Sequence, residues 1–183
     1  MKRMKRCAGF ALLELLVAVA VLLGLLSLAA PSVADLLQSM RSRSAAEALL
    51  SALNLSRAAA VQHNARVALC KSANASTCSD AQDWAQGWIV FYDDNNSGTH
   101  EEGEAVIYRQ EALSGAFSII GNGPVAQYVS YTPLGQAKLL NGGGQAGTFT
   151  VCSNGAEHTT DYQVVVAASG RARMAKASAD QCR

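Results

Sequence analysis

An uninterrupted apolar segment near the N-terminus constrains this chain more than any other feature. It runs from Phe10 to Ala30, and Glu14 is its only charged residue. Its length is close to the ~20 residues that a bilayer-spanning helix requires. A carboxylate at the centre of a membrane costs roughly 2.5 to 3.5 kcal/mol, so such acids usually have a function and a partner. The segment therefore predicts a membrane helix in which Glu14 has a specific role.

The residues before this segment indicate where the partner of Glu14 comes from. Residues 1–9 carry four basic side chains and no acid. A secretory signal is cut after its apolar region, at small residues, but here a helical pattern continues past residues 28–31. Cleavage between Gly9 and Phe10 would keep the apolar segment and create an α-ammonium group four residues from Glu14. The alternative is a plain single-span anchor with a positive cytoplasmic flank, which leaves the carboxylate unexplained.

The stretch Gly9-Phe10-Ala11-Leu12-Leu13-Glu14-Leu15-Leu16 resembles the leader and N-terminal methylation motif of type IV pilins and pseudopilins. The resemblance implies that a prepilin peptidase cuts after Gly9 and methylates Phe10. It also implies that Glu14 neutralises the N-terminal ammonium of a neighbouring subunit during filament assembly, and that Pro31 is the proline that bends the helix. The chain would start in the inner membrane, with its C-terminal domain in the periplasm, and then join other major and minor subunits in a filament.

Charge limits the kinds of partner that the mature chain can bind. The leader holds four of the fifteen Lys and Arg residues, so eleven remain against fourteen acids, a formal charge of −3. Nucleic-acid binding would therefore depend on a local basic patch, because Lys and Arg supply the affinity for phosphates. Beyond the helix, roughly 120 residues remain, enough for one hydrophobic core.

The cysteines predict two disulfides. Loss of the leader removes Cys7 and leaves Cys70, Cys78, Cys152 and Cys182. An even number in a periplasmic domain indicates disulfides, and four cysteines allow three pairings. We favour Cys70–Cys78, which closes a short polar loop, with Cys152–Cys182, which ties the last residues to a strand. A zinc site is the alternative, but the short spacing of structural zinc ligands is missing.

The helical pattern continues after Pro31. Apolar residues recur at three- and four-residue steps as far as Val61, and polar residues occupy the other side. This pattern predicts an amphipathic helix over residues 31–64, buried on one side against a globular domain. It should end near Gln62-His63-Asn64.

From Arg66 onward the apolar period changes to two, which indicates strands. Gly, Asn and Asp clusters separate them. The fold class is therefore α+β, a long N-terminal helix packed on a mostly antiparallel β-sheet domain. The predicted parts are the leader 1–9, a membrane and filament-core helix 10–30, the amphipathic helix 31–64 and a β domain 65–183. The predicted strands are Arg66–Cys70, Gly87–Tyr92, Ala105–Arg109, Phe117–Ile120, Tyr128–Tyr131, Thr148–Cys152 and Tyr162–Ala167.

Three further stretches resemble the GspH/FimT branch of the pilin superfamily. They are the helix sequence Ser56–Val61, the stretch Asp83–Asp93 with two tryptophans, and the ending Ser169–Arg173 followed by Cys182. The resemblance implies either a FimT- or FimU-like minor subunit of a type IV pilus or a GspH-like pseudopilin of a type II secretion system. It implies no cofactor.

The segment that predicts a specific activity is Gly170-Arg171-Ala172-Arg173, with Lys176 nearby. Gly170 permits a turn, and strand alternation would then send Arg171 and Arg173 to one face. This motif is similar to the one that FimT-type minor pilins use to bind DNA during natural transformation. It implies sequence-independent contact with double-stranded DNA through these arginines, with Lys176 as a weaker addition. Alternatively, the arginines merely protect an exposed strand edge.

Two other functional classes have less support. Asp93, Asn95, Ser97 and Glu104 match the ligand spacing of a calcium loop, but strands flank the loop, and the same residue types form ordinary turns. We therefore expect no bound metal. This loop is the weak candidate for a calcium site. An enzyme is not expected either, because the chain has no Gly-x-Ser-x-Gly, His-Glu-x-x-His or phosphate-loop motif.

Overall fold

The computed structural model describes residues 12–80, 83–115, 117–153 and 161–182, without the side chains of residues 26–32 and 179–180. The predicted cleavage site at Gly9 and Phe10 lies outside the described residues, as does the side chain of Pro31. The chain divides into two compact units, residues 1–37 and Gln38–Arg183.

One helix, α1, runs over 52 residues from Leu12 to His63. It ends where predicted because Asn64 adopts a left-handed conformation with φ 50°, a common way to stop a helix. The amide of Ala65 closes the last turn by donating to the Ala60 carbonyl at 3.2 Å. Within the described part of the chain, no helix is both long and apolar enough to cross a membrane.

Burial of α1 begins later than the pattern predicted. The apolar residues Val33, Leu36, Leu37 and Met40 are all at least half exposed. From Ala45 onward, one side of the helix is buried at three- and four-residue steps, as expected of an amphipathic helix against a core. Every buried residue among those described lies within residues 42–170, so the unit Gln38–Arg183 carries a complete core of its own.

The described residues after α1 form eight strands in two antiparallel sheets. The strands are β1 Val67–Lys71, β2 Trp88–Tyr92, β3 Val106–Gln110, β4 Phe117–Gly121, β5 Tyr128–Tyr131, β6 Gly147–Ser153, β7 Tyr162–Val166 and β8 Ala172–Lys176. Sheet A has the order β3-β2-β1-β5 and sheet B the order β4-β6-β7-β8. Seven strands confirm the sequence prediction to within one residue at each end. The eighth, β8, was not among the predicted strands, although the arginine motif was expected to alternate as in a strand.

A single large core joins α1 to both sheets. Leu49 and Leu53 of the helix share it with Trp88 of sheet A and Phe149 of sheet B, all of them fully buried. A smaller cluster on the other face of sheet A includes Ile89 and Phe91. Sheet A is thus covered on both faces, which explains why β1 and most of β2 are continuously buried. The observed architecture confirms the predicted α+β fold.

Both disulfides have the predicted pairing. Cys70 at the end of β1 is bonded to Cys78 in the following loop, with 5.6 Å between their Cα atoms. Cys152 in β6 is bonded to Cys182 near the C-terminus, with 5.4 Å between their Cα atoms. The second bond holds the end of the chain against the central part of sheet B.

Candidate nucleic-acid interface

The arginine motif forms the turn and the start of the outer strand in the β7–β8 hairpin. The amide of Gly170 donates to the Ala167 carbonyl at 2.8 Å, and the amide of Ala167 donates to the Arg171 carbonyl at 3.0 Å. Gly170 has φ 82°, in the left-handed region that favours glycine. The motif therefore lies at the edge of sheet B, with β8 paired only to β7 among the described strands.

Gly170 is buried, and its role in the motif is to form this turn. A Cβ atom at this position would lie 1.8 Å from the carbonyl oxygen of Gly135 and 3.1 Å from Nε of Arg57. No side chain fits at such distances. The glycine is needed both for its backbone conformation and for this close contact.

Arg171 and Arg173 are both exposed. Arg173 lies opposite Val165 in the β7–β8 register, and Arg171 precedes it by two residues along an extended chain, so both occupy the same face of sheet B. The only ion pair among the described residues joins Arg43 and Glu47 at 2.8 Å. No described carboxylate therefore competes for the two guanidinium groups of the hairpin.

Lys176 lies on the opposite face of β8 from Arg173. It is paired with Tyr162, and it shares its register parity with Ala172 and Met174, which pack against the main core. The sequence prediction placed it beside the two arginines. Three residues separate Lys176 from Arg173, and an odd separation along a strand reverses the face.

A second turn, Thr132–Gly135, packs against the β7–β8 hairpin at Gly170. Gly135 closes it by donating its amide to the Thr132 carbonyl at 2.8 Å, and its own carbonyl accepts from Nε of Arg57 at 2.9 Å. The amide of Ala137 donates to the Ala168 carbonyl at 3.1 Å. In the sequence, Arg57 belongs to the polar side of α1 and to the stretch Ser56–Val61 that resembles the GspH/FimT branch, but a contact 78 residues away leaves no local signal.

The guanidinium of Arg57 also lies near the buried side chain of Tyr131. Tyr131 is fully buried at the end of β5, and its hydroxyl has no hydrogen-bond partner among the described residues. Burial raises the pKa of Tyr131, and the nearby guanidinium of Arg57 acts in the opposite direction. Arg57 therefore lies where α1, the end of sheet A and the β7–β8 hairpin meet.

The carboxylate oxygens of the candidate calcium loop accept hydrogen bonds from backbone amides of the same loop. Oδ1 of Asp93 accepts from the Ser97 amide at 2.8 Å, and Oδ2 accepts from the Gly98 amide at 3.2 Å. Burial raises the pKa of Asp93, whereas these amide bonds oppose the shift. Glu104 accepts from the amides of Asp94 and Glu101 at 3.1 and 2.9 Å. This is the bonding of a tight connection between strands.

The remaining two candidate ligands also lie in this connection. Oδ1 of Asn95 accepts from the amide of Ser97 at 3.0 Å, and the Ser97 hydroxyl donates to the Thr99 carbonyl at 2.9 Å. Among the residues with a described placement, no group of three or more His, Cys, Asp or Glu side chains is arranged to hold a metal ion.

Comparisons with solved structures agree with this fold. The minor type IV pilin FimU of Pseudomonas aeruginosa PAO1 is 18% identical, with a TM-score of 0.54 over 73% of this chain and 87% of that one. The minor pseudopilin EpsH of the Vibrio cholerae type 2 secretion system is 12% identical, with a TM-score of 0.51 over 74% of this chain and 97% of that one. No curated protein matches the sequence with significance.

Two family profiles match the sequence. The prokaryotic N-terminal methylation motif matches residues 4–30, which implies processing by a prepilin peptidase, a start in the inner membrane and later assembly with other pilins in a filament. The profile described as type II transport protein GspH matches residues 45–170, well over half of the chain. The chain therefore belongs to the GspH family of minor pilins and pseudopilins, which are structural subunits and not enzymes.

Proposed function

We propose that this chain is a minor subunit of a type IV pilus, near its tip, and that it binds double-stranded DNA for uptake during natural transformation. The observation that carries the proposal is the pair of exposed arginines on one face of the β7–β8 hairpin, neither of which forms an ion pair with a described carboxylate. Arg171 and Arg173 are the contact residues, and Gly170 forms the turn that presents them. The similarity of the fold to that of the minor pilin FimU supports the choice of a pilus subunit.

The chemistry of the two arginines suits the DNA backbone. Guanidinium groups bind phosphate oxygens in a bidentate manner and stay charged at any physiological pH. Phosphate contacts carry no sequence information, which fits the uptake of arbitrary DNA. Two contacts give weak binding with a shallow salt dependence, a slope of about −1.8 in log K against log salt concentration. Several subunits in one filament would raise this affinity through multivalency.

The test is DNA binding by the unit Gln38–Arg183 across a salt series. Wild type is compared with Arg171→Ala/Arg173→Ala. The matched control is Arg41→Ala/Arg43→Ala, which removes the same charge from two exposed positions on α1. Fluorescence anisotropy with a labelled random-sequence duplex gives the affinity at each salt concentration.

We expect the hairpin variant to lose salt-sensitive binding and the helix variant to keep most of it. Equal losses in both variants would mean that net charge, and not the hairpin, attracts DNA. Absence of binding by wild type at low salt and high protein concentration would refute the DNA-binding function.

The second candidate is a type II secretion pseudopilin that does not bind DNA. The description of the matching family profile and the fold of EpsH favour it. In that case the arginines of β8 protect an edge strand from unwanted pairing, or contact other pseudopilins and secreted proteins. A deletion strain would then lose protein secretion but keep transformation, and the hairpin variant would bind DNA no worse than wild type.

For assembly we propose the roles implied by the methylation motif. Cleavage follows Gly9, and Phe10 becomes the methylated N-terminus. Residues 10–30 anchor the subunit and then pack in the filament core, with Glu14 neutralising a neighbouring ammonium and Pro31 bending the helix. Residues 31–64 continue the helix into a periplasmic β domain, residues 65–183.

A further inference from the structure

We propose that Arg57 is a positioning residue for the DNA interface, which it serves by holding the Gly170 turn so that Arg171 points at the phosphate backbone. This inference rests on the proposed DNA-binding function. Arg57 lies on α1, more than a hundred residues from the hairpin along the chain, and it belongs to none of the DNA contacts assigned above.

Three backbone segments meet at the Arg57 guanidinium. Its Nε donates to the carbonyl of Gly135 at 2.9 Å. The same carbonyl oxygen is 1.8 Å from the point where a Cβ atom of Gly170 would lie, and Nε is 3.1 Å from that point. A Cβ atom of Gly135 would lie 3.2 Å from Nε. The turn at Gly170 is thus pressed against a carbonyl that Arg57 holds in place.

Few other contacts fix the turn to the rest of the domain. Among the backbone hydrogen bonds between described residues, only the one from the Ala137 amide to the Ala168 carbonyl, at 3.1 Å, links the turn to the loop that contains Gly135. Arg173 lies within β8, opposite Val165, whereas Arg171 precedes the strand and its carbonyl accepts from the Ala167 amide within the turn itself. Loss of Arg57 should therefore displace Arg171 and leave Arg173 in place.

Arg57 acts through the turn and not by contacting phosphate itself. It is half-buried, and its Nε is already used by the Gly135 carbonyl. Glutamine at this position would test the distinction, because its side-chain NH2 group is as many bonds from Cα as Nε of arginine. Arg57→Gln keeps a donor for the carbonyl and removes the charge, whereas Arg57→Ala removes both.

The experiment is a double-variant cycle on the unit Gln38–Arg183, with the labelled duplex as the probe. Arg57→Ala should reduce the salt slope by about 0.9, the loss of one phosphate contact. Combining it with Arg171→Ala should reduce the slope no further, because the same contact is already lost. Combining it with Arg173→Ala should give the sum of both losses. Arg57→Gln should bind with a slope within error of wild type.

A readout without DNA separates positioning from the proposed function. Amide hydrogen exchange at Gly170 and Ala137 should accelerate in Arg57→Ala and stay close to wild type in Arg57→Gln, while exchange within β7 is unchanged. If wild type fails to bind DNA, the DNA function is refuted, and the exchange data still decide whether Arg57 holds the turn. Unchanged exchange in Arg57→Ala would overturn the proposal. Additive losses with Arg171→Ala, together with weakened binding by Arg57→Gln, would instead make Arg57 a direct phosphate contact and overturn it equally.

Discussion

Two glycines meet below the arginine hairpin, and each needs its lack of a side chain. Gly135 and Gly170 have φ 70° and 82°, and both are buried. The carbonyl of Gly135 occupies the space that a side chain at position 170 would need. The glycine of the Gly-Arg-x-Arg motif is therefore explained by packing alone, whereas packing gives no reason for the two exposed arginines that follow it.

The cost of a side chain at position 170 can be separated from the cost of its backbone conformation. Gly142 has a similar φ of 84°, but a Cβ atom there would meet nothing within 4 Å. Gly142→Ala should lower the free energy of unfolding by about 1 to 2 kcal/mol, the cost of a left-handed conformation. Gly170→Ala should cost a further ~1 to 3 kcal/mol from overpacking. Urea denaturation of both variants measures the difference, and equal losses would contradict the close contact at Gly170.

At the scale of elements, β8 depends on its neighbours. Its sequence, Ala-Arg-Met-Ala-Lys, contains no β-branched or aromatic residue, so its intrinsic preference for a strand is low. It forms because it pairs with β7 over five residues and because Met174 packs against the core. The following segment is then held by the bond between Cys152 and Cys182. The edge of sheet B that carries the arginines is thus stabilised from both ends.

This disulfide should contribute measurably to stability. It joins residues 30 apart in sequence, and loop-closure entropy for such a loop is worth about 3.5 kcal/mol. We expect Cys152→Ser/Cys182→Ser to lower the free energy of unfolding by roughly that amount in urea denaturation. Reducing the variant Cys70→Ser/Cys78→Ser, in which only the longer loop is closed, should have a similar effect. A loss below ~1 kcal/mol would show that the C-terminal segment adds little to the constraint on sheet B.

The limits of sequence reasoning follow from the distance between interacting residues. Strands rich in valine, isoleucine and aromatic residues, such as Trp88–Tyr92 and Tyr162–Val166, have a local signal and were predicted. The sequence of β8 lacks this signal, and the strand forms because it pairs with β7. The contact between Arg57 and Gly135 depends on tertiary packing alone, so no spacing in the sequence could indicate it. Lys176 was misplaced for a simpler reason, since proximity in sequence does not put two residues on one face of a strand.

At the scale of the whole molecule, the apolar surface of α1 requires a partner. Large apolar side chains from Leu12 to Leu25 are between 45% and 78% exposed in the described chain. A continuous apolar surface of this kind marks a contact with a membrane or with other proteins. Glu14 is the single charge among these residues. Members of the pilin family assemble with other pilins, and we propose that neighbouring subunits of the filament cover this surface.

Glu14 should therefore matter for assembly and not for folding or processing. In Glu14→Ala, cleavage after Gly9 should remain largely intact, because the leader is unchanged, and mass spectrometry should find N-methylated Phe10 as the first residue. Incorporation into sheared filaments should fall strongly, since a neighbouring ammonium would lose its counter-charge in an apolar environment. Asp35→Ala is the matched control, because it removes an acid from the same helix beyond the apolar segment and should assemble nearly as well as wild type. Normal incorporation of Glu14→Ala would remove the role of the carboxylate, and an uncut Met1 terminus in a competent host would refute processing itself.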